Sequence, residues 1–135
     1  MNEKFMELAI KQAEKASKKN EVPVGAVIVK DGKVISKAHN LVEKKKNAIS
    51  HAEILAISKA TKKIKNWRLN GCEMYVTLEP CSMCISAIEL SRIKRVYFLV
   101  KKDKEINIKK DKYDLVEYKN NEYLDLVQTF FKKRR

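Results

Sequence analysis

The sequence predicts an α/β fold, a mixed sheet with helices on both faces. Three observations carry that expectation: an amphipathic helical stretch opens the chain, a strand–turn–strand unit follows, and helical and strand patterns then alternate. At 135 residues the chain has the length of one ordinary domain. No repeat, Gly/Ser linker or shift of composition divides it, so a single domain over residues 1–135 is expected.

Residues 3–19 place Phe5, Leu8, Ala9, Ala13 and Ala16 at the spacing of one helical face. The segment ends in KKNE, where cations suit the negative end of a helix dipole. VPVGAVIVKDGKVISKAHN reads as two strands joined by Asp31-Gly32, a two-residue hairpin turn, and Pro23 suits an edge or the start of a strand. Helical period returns in ISHAEILAISKATKKI, where Ser50 and Glu53 match the S-x-x-E capping box and start the helix at about His51. CEMYVTL is a short strand, and Pro80 fits the first turn of the next helix, PCSMCISAIELS. RIKRVYFLV is a further strand, YDLVEY another, and NEYLDLVQTFFKKRR a closing helix.

Composition narrows the class. An apolar share of 44% is ordinary for a globular protein. No apolar run approaches the roughly twenty residues of a membrane span, and the opening residues carry charges where a signal peptide needs an apolar core. Three cysteines with one tight pair make a poor disulfide framework and favour a reducing, cytoplasmic setting. Thirty Lys and Arg against 17 Asp and Glu leave a net charge of +13, which points to a polyanionic partner such as nucleic acid. A solvated lysine coat would give the same number.

TLEPCSMC carries the chemistry. Cys81 and Cys84 at a helix start share a face within reach of unpaired N–H groups, an environment that favours thiolate. Such a pair suits half a zinc site, a redox dithiol or buried packing. A redox CxxC is expected near the end of the first strand of its sheet, and this one follows several elements. A catalytic zinc takes three protein ligands and keeps a position for water, and Cys₂His is an accepted set. The only histidines are His39 and His51. His51 has a carboxylate two residues on, so the ring can reach a metal while Glu53 acts on the water, although Glu53 alone would also complete a capping box. His39 as a fourth ligand would block the water position, and a structural role is expected for it. His51-x-Glu53 followed by Pro80-Cys81-x-x-Cys84 is the signature of zinc deaminases.

With EVPVGAVIV, His39-Asn40, HAEI, NWRL, MYVTLEPCSMC, SRIKRVYF and FFKKRR in view, the chain resembles the cytidine-deaminase-like superfamily, and within it the bacterial tRNA-specific adenosine deaminases. That resemblance implies a three-layer α/β/α sandwich around a five-stranded mixed sheet, working as a homodimer. It implies one zinc ion per subunit on His51, Cys81 and Cys84, with Glu53 as proton shuttle. It places Asn40 and the Ala52 backbone against the flipped base, with Pro23, Glu79 and Asp103 nearby. Phe131, Arg134 and Arg135 in the tail fall on the side of the tRNA anticodon arm, where Lys132 and Lys133 add charge. The implied reaction converts wobble adenosine to inosine. The segment LVKKDKEINIKKDK has no glycine where the family has a glycine-bearing loop, so either Lys102 or Asp103 takes the place of the family's aspartate. Two other functions share parts of the pattern: a small-molecule nucleobase or nucleoside deaminase, and a non-catalytic RNA-binding protein with structural zinc. Of the remaining candidates, Cys72 is expected as a buried small hydrophobe and Trp67 as a packing residue. Phe130 and Phe131 cannot share one helix face.

Overall fold

A computed structural model describes residues 2–101, 114–117 and 125. The amphipathic start forms helix α1 (Glu3–Lys18), capped by Asn2, whose side chain accepts a hydrogen bond from the Lys4 N–H at 2.9 Å. The hairpin follows as β1 (Gly25–Lys30) and β2 (Lys33–His39). Asp31 and Gly32 between them both have positive φ, 52° and 75°, the conformation a two-residue hairpin demands. A four-residue helix α2 (Val42–Lys45) comes next, then α3 (Ala52–Ile64), β3 (Cys72–Leu78), α4 (Ser82–Leu90), β4 (Arg95–Val100) and β5 (Asp114–Glu117).

The strands pair in the order β2-β1-β3-β4-β5. β1 is antiparallel to both β2 and β3, whereas β3, β4 and β5 run parallel, so the sheet is mixed. Alternate strand residues divide between two cores, as the period of two requires. Val27, Val29, Tyr75, Tyr97 and Leu99 pack with Met6, Ala9, Ile10 and Ala13 of α1. Ala26, Ile28, Met74, Val76, Val96 and Phe98 pack with Ala52, Ala56 and Ala60 of α3 and Ile88 of α4. The alanines of α3 recur every four residues, are fully buried, and let that helix lie close on the sheet. On the other face Gly25 has the same purpose: a Cβ there would overlap the Ala9 carbonyl of α1.

Several local expectations need correction. Pro23 stands two residues before β1, which lies inside the sheet, so it marks a strand start and not an edge. The N-cap of α3 is His51 and no capping box forms there; the Ser50 carbonyl accepts instead from the Leu41 N–H at 3.0 Å. Pro80 precedes the N-cap of α4, which is Cys81, and so stands outside the first turn. β4 begins at Arg95, later than RIKRVYFLV suggested. Helix α2 had no counterpart in the sequence reading. The segment NEYLDLVQTFFKKRR lies outside the described residues apart from Asp125, which is helical. No helix among the described residues is long and apolar enough to cross a membrane.

Candidate metal centre and active site

Two helix starts converge at the C-terminal end of β3. His51 caps α3 and Cys81 caps α4, both in extended backbone conformation and neither making a side-chain capping hydrogen bond. Their side chains are thereby turned away from their own helices and toward each other. Cys84, in the first turn of α4, is buried below them. The His51 Nδ1 atom stands 3.7 Å from Cys81 Sγ and 3.6 Å from Cys84 Sγ, and the three donor atoms all lie within 4.8 Å of one another.

Those spacings fit a zinc ion. Tetrahedral zinc with bonds of about 2.3 Å to sulfur and about 2.05 Å to nitrogen separates an N/S ligand pair by about 3.55 Å. Charge gives a second test. Burial pushes the Cys84 thiol up, and the neighbouring Glu53 carboxylate and Cys81 push it further the same way. A buried thiol so placed holds its proton unless a cation joins it, and a bound dication reverses that balance. Three protein donors leave a fourth position for water, which distinguishes a catalytic site from a closed structural one.

Glu53 is the second residue of α3, only 4% exposed, and shares a hydrogen bond with the Cys84 thiol. It therefore lies against the donor set without being one of the three. A cavity of about 400 Å³, the size of a small-molecule site, opens beside them. His51, Ala52, Glu53, Leu78, Glu79 and Cys81 line one side, and Asn20, Glu21, Val22, Val24, Asn40, Val42, Glu43 and Ala48 the other. Asn40 is 6% exposed; its backbone N–H donates to the Val24 carbonyl, while its side-chain amide has no hydrogen-bond partner among the described residues. Buried amides are ordinarily paired, and this one borders the cavity.

Of the residues singled out from the sequence, His51, Cys81, Cys84, Glu53, Asn40, Ala52 and Glu79 come together here. Pro23 is buried between the lining residues Val22 and Val24 without lining the cavity itself. Lys102, Asp103, Phe131, Lys132, Lys133, Arg134 and Arg135 lie outside the described residues. His39 is apart from the donor set: its Nδ1 meets Gln12 Oε1 at 3.0 Å and its Nε2 meets Lys19 Nζ at 3.2 Å. Cys72 is a buried free thiol at the start of β3, as expected. Trp67 is not the packing residue expected; it is 52% exposed, with the Arg68 and Arg92 guanidinium carbons 4.4 and 5.5 Å from its ring centre.

Glu21 was missed. It is 1% exposed and its two carboxylate oxygens accept from the Glu43 and Lys44 N–H groups at 3.0 and 2.8 Å, so it caps α2 from the opposite side of the cavity. The Leu41 N-cap makes no side-chain hydrogen bond. The only sequence signal for this role is a lone Glu ahead of Val-Pro, with its partners 22 and 23 residues away.

A pocket with three soft and borderline donors and an adjacent buried carboxylate has the make-up of a metal centre. Comparison with known proteins gives the family. The model of the cytidine and deoxycytidylate deaminase zinc-binding region matches residues 1–100, and the chain belongs to that family. It is 54% identical over 96 residues to a tRNA-specific adenosine deaminase of Aquifex aeolicus, a match spanning 71% of this chain and 64% of that one. To the tRNA-specific adenosine deaminase of Bacillus subtilis it is 52% identical over 97 residues, 72% of this chain and 60% of that one. The chain thus spans less than two thirds of these relatives' length. A solved chain from a study of A-to-I editing by tRNA:A34 deaminases superposes with a TM-score of 0.79 at 36% identity, covering 85% of this chain and 97% of that one.

Proposed function

We propose that this protein hydrolytically deaminates adenosine to inosine at the wobble position of tRNA. The observation that carries the chemistry is the His51, Cys81 and Cys84 donor set, with Glu53 buried beside it at the wall of a base-sized cavity. Similarity to tRNA-specific relatives supports the choice of substrate.

In this reading His51 Nδ1 and the two sulfurs hold the zinc, and Asn40 and the Ala52 backbone hold the adenine. Zinc supplies Lewis-acid activation of water when bound. Glu53 would take one proton from the attacking water and give it to the adenine ring nitrogen; it would then take the remaining proton from the new C6 hydroxyl and give it to the departing amine. The C6–N bond breaks, a C6–O bond forms, and ammonia leaves. The low-dielectric surroundings of Glu53 suit a carboxylate that accepts and returns a proton in one turnover. Glu79, Pro23, Asp103, Phe131, Arg134 and Arg135 serve substrate binding, and the chain works as one deaminase domain over 1–135, in the cytoplasm.

The same reading extends the architecture to a three-layer α/β/α sandwich. Two copies would assemble, an arrangement favoured by exposed Leu90 on α4 and exposed Ile49 ahead of α3.

The test is to incubate the zinc-loaded protein with an anticodon stem-loop bearing adenosine at the wobble position, and separately with free bases and nucleosides. Inosine and ammonia from the stem-loop alone are expected. Ammonia from free guanine, cytosine or cytidine alone would assign the site to a small-molecule deaminase, and none from any substrate would leave a structural zinc.

A further inference from the structure

We propose that the outer edge of β2, where Lys19 meets His39 and Lys59 meets the Lys37 carbonyl from opposite faces of the sheet, is a phosphodiester-binding ridge leading an RNA strand to the cavity. This rests on the tRNA reading above.

β2 forms the edge of the sheet, paired among the described residues with β1. α1 and α3 pack on opposite faces, and both border this strand. Their lysines wrap its edge from the two sides. Lys59 Nζ of α3 donates to the Lys37 carbonyl at 3.0 Å, and Lys19 Nζ, just past α1, donates to His39 Nε2 at 3.2 Å. With Nδ1 donating to Gln12 Oε1, the imidazole is held as a neutral acceptor. Burial keeps His39 below its ordinary range, Lys19, Lys59 and Lys15 add to that, and Glu21 opposes them.

Lysines on an edge strand are common because they prevent edge-to-edge pairing. That accounts for exposed Lys33 and Lys37 on β2. It does not account for Lys19, which meets the His39 ring, or Lys59, which meets the Lys37 carbonyl from the helix on the opposite face, with Lys15 adding its charge to theirs. Nor does it explain the local shortage of acids. From Gly32 to Cys72 there are ten Lys and Arg and two acidic residues, Glu43 and Glu53, both of which line the cavity. A self-neutralising surface helix would alternate its charges at i, i+4, and α3 has no acid after Glu53.

Position links the ridge to the site. Lys19 adjoins Asn20 and His39 adjoins Asn40, and both asparagines line the cavity. Ammonium groups are point charges without a planar fork, so they suit phosphate contacts that set register and not contacts that read bases. The ridge would position the strand while the cavity reads the base.

The test uses the zinc-loaded full chain and a wobble-adenosine anticodon stem-loop, followed by anisotropy over a salt series and by deamination kinetics. One variant combines Lys15→Gln, Lys19→Gln and Lys59→Gln. The other combines Lys30→Gln, Lys65→Gln and Lys94→Gln, removing equal charge at the far end of the sheet. The ridge variant should bind about tenfold or more weakly and lower the log–log salt slope by about two to three, with KM raised and kcat little changed. The far-end variant should lose no more than about twofold. A second readout needs no substitution: in the zinc-loaded wild type, stem-loop binding should raise the NMR titration midpoint of His39, because phosphates offset its three lysines. Equal losses in both variants would reduce the ridge to net charge, and no loss in either, or an unmoved His39 midpoint, would remove it. Those results leave wild-type deamination intact; a wild type that neither binds nor deaminates the stem-loop overturns the tRNA reading and the ridge together.

Discussion

His39 and His51 are both half-buried and stand twelve positions apart in the chain, yet the fold gives them opposite electrical surroundings. His51 turns its Nδ1 toward two sulfurs, with the Glu53 carboxylate close by. His39 turns Nδ1 toward an amide oxygen and Nε2 toward an ammonium group, with two further lysines acting on it. Burial does not separate them; the sign of the neighbours does. An imidazole among anionic donors completes a cation site, whereas an imidazole among cations is held neutral and linked to its scaffold. The sharpest break of this contrast is a pair of substitutions. His51→Ala should lose bound zinc and all measurable deamination, and His39→Gln should keep the metal at one equivalent per chain. Zinc content by atomic absorption decides it, and a His39→Gln protein that arrives without zinc would place both rings in one site.

Glu53 sharpens the contrast at the next level of effect. If it carries protons instead of bracing the helix, Glu53→Gln should retain zinc and lower kcat by about 10² to 10⁴. A helix-bracing role predicts the reverse: turnover near normal and a lower melting temperature. The geometry favours the first outcome, because the capping position that Glu53 would have served is taken by His51 and no capping box forms.

That substitution also shows what the sequence could reveal. His51, Glu53, Cys81 and Cys84 were legible because a metal needs particular donor types, and the two fragments that carry them are short and local. The hairpin at Asp31-Gly32, strand β3 and the amphipathic α1 were legible for the same reason, each being specified by neighbours in the chain. Ser50 and Glu53 satisfied a local pattern that the fold did not use, since the loop before α3 engages the Ser50 carbonyl through Leu41. Helix α2 was invisible because its cap is Glu21, on another segment, and four residues give no period to read. Trp67 was misjudged on residue type; two arginines cover it in place of the core.

Glu21 gives a smaller effect and tests the far wall of the cavity against the metal side. Glu21→Gln keeps the shape but turns one charged acceptor into a donor facing backbone N–H groups. A loss of about 1.5–3 kcal/mol is expected, measured by denaturant unfolding of the zinc-loaded protein. KM should rise, because α2 carries Val42 and Glu43 of the cavity wall, while zinc content stays unchanged. A Glu21→Gln protein that lost zinc would mean that the two walls are not independent.

The smallest expected effect belongs to His39 and follows from its lowered pKa. The folded protein holds the ring neutral to a lower pH than the unfolded chain does, whose ring titrates near the ordinary 6.5. Between those two values the unfolded state binds more protons, so stability rises with pH across the interval. The His39 contribution is therefore fully present above about pH 6.5 and declines as pH falls toward the folded value. Zinc ligands also lose affinity in acid, so the informative quantity is the difference in melting temperature between wild type and His39→Gln, both zinc-saturated, at each pH. That difference should shift against the wild type as the solution is acidified below pH 6.5 and should be flat above it. A difference that is constant throughout would mean that neither burial nor the neighbouring lysines hold the His39 ring neutral, and the electrical contrast with His51 would reduce to geometry alone.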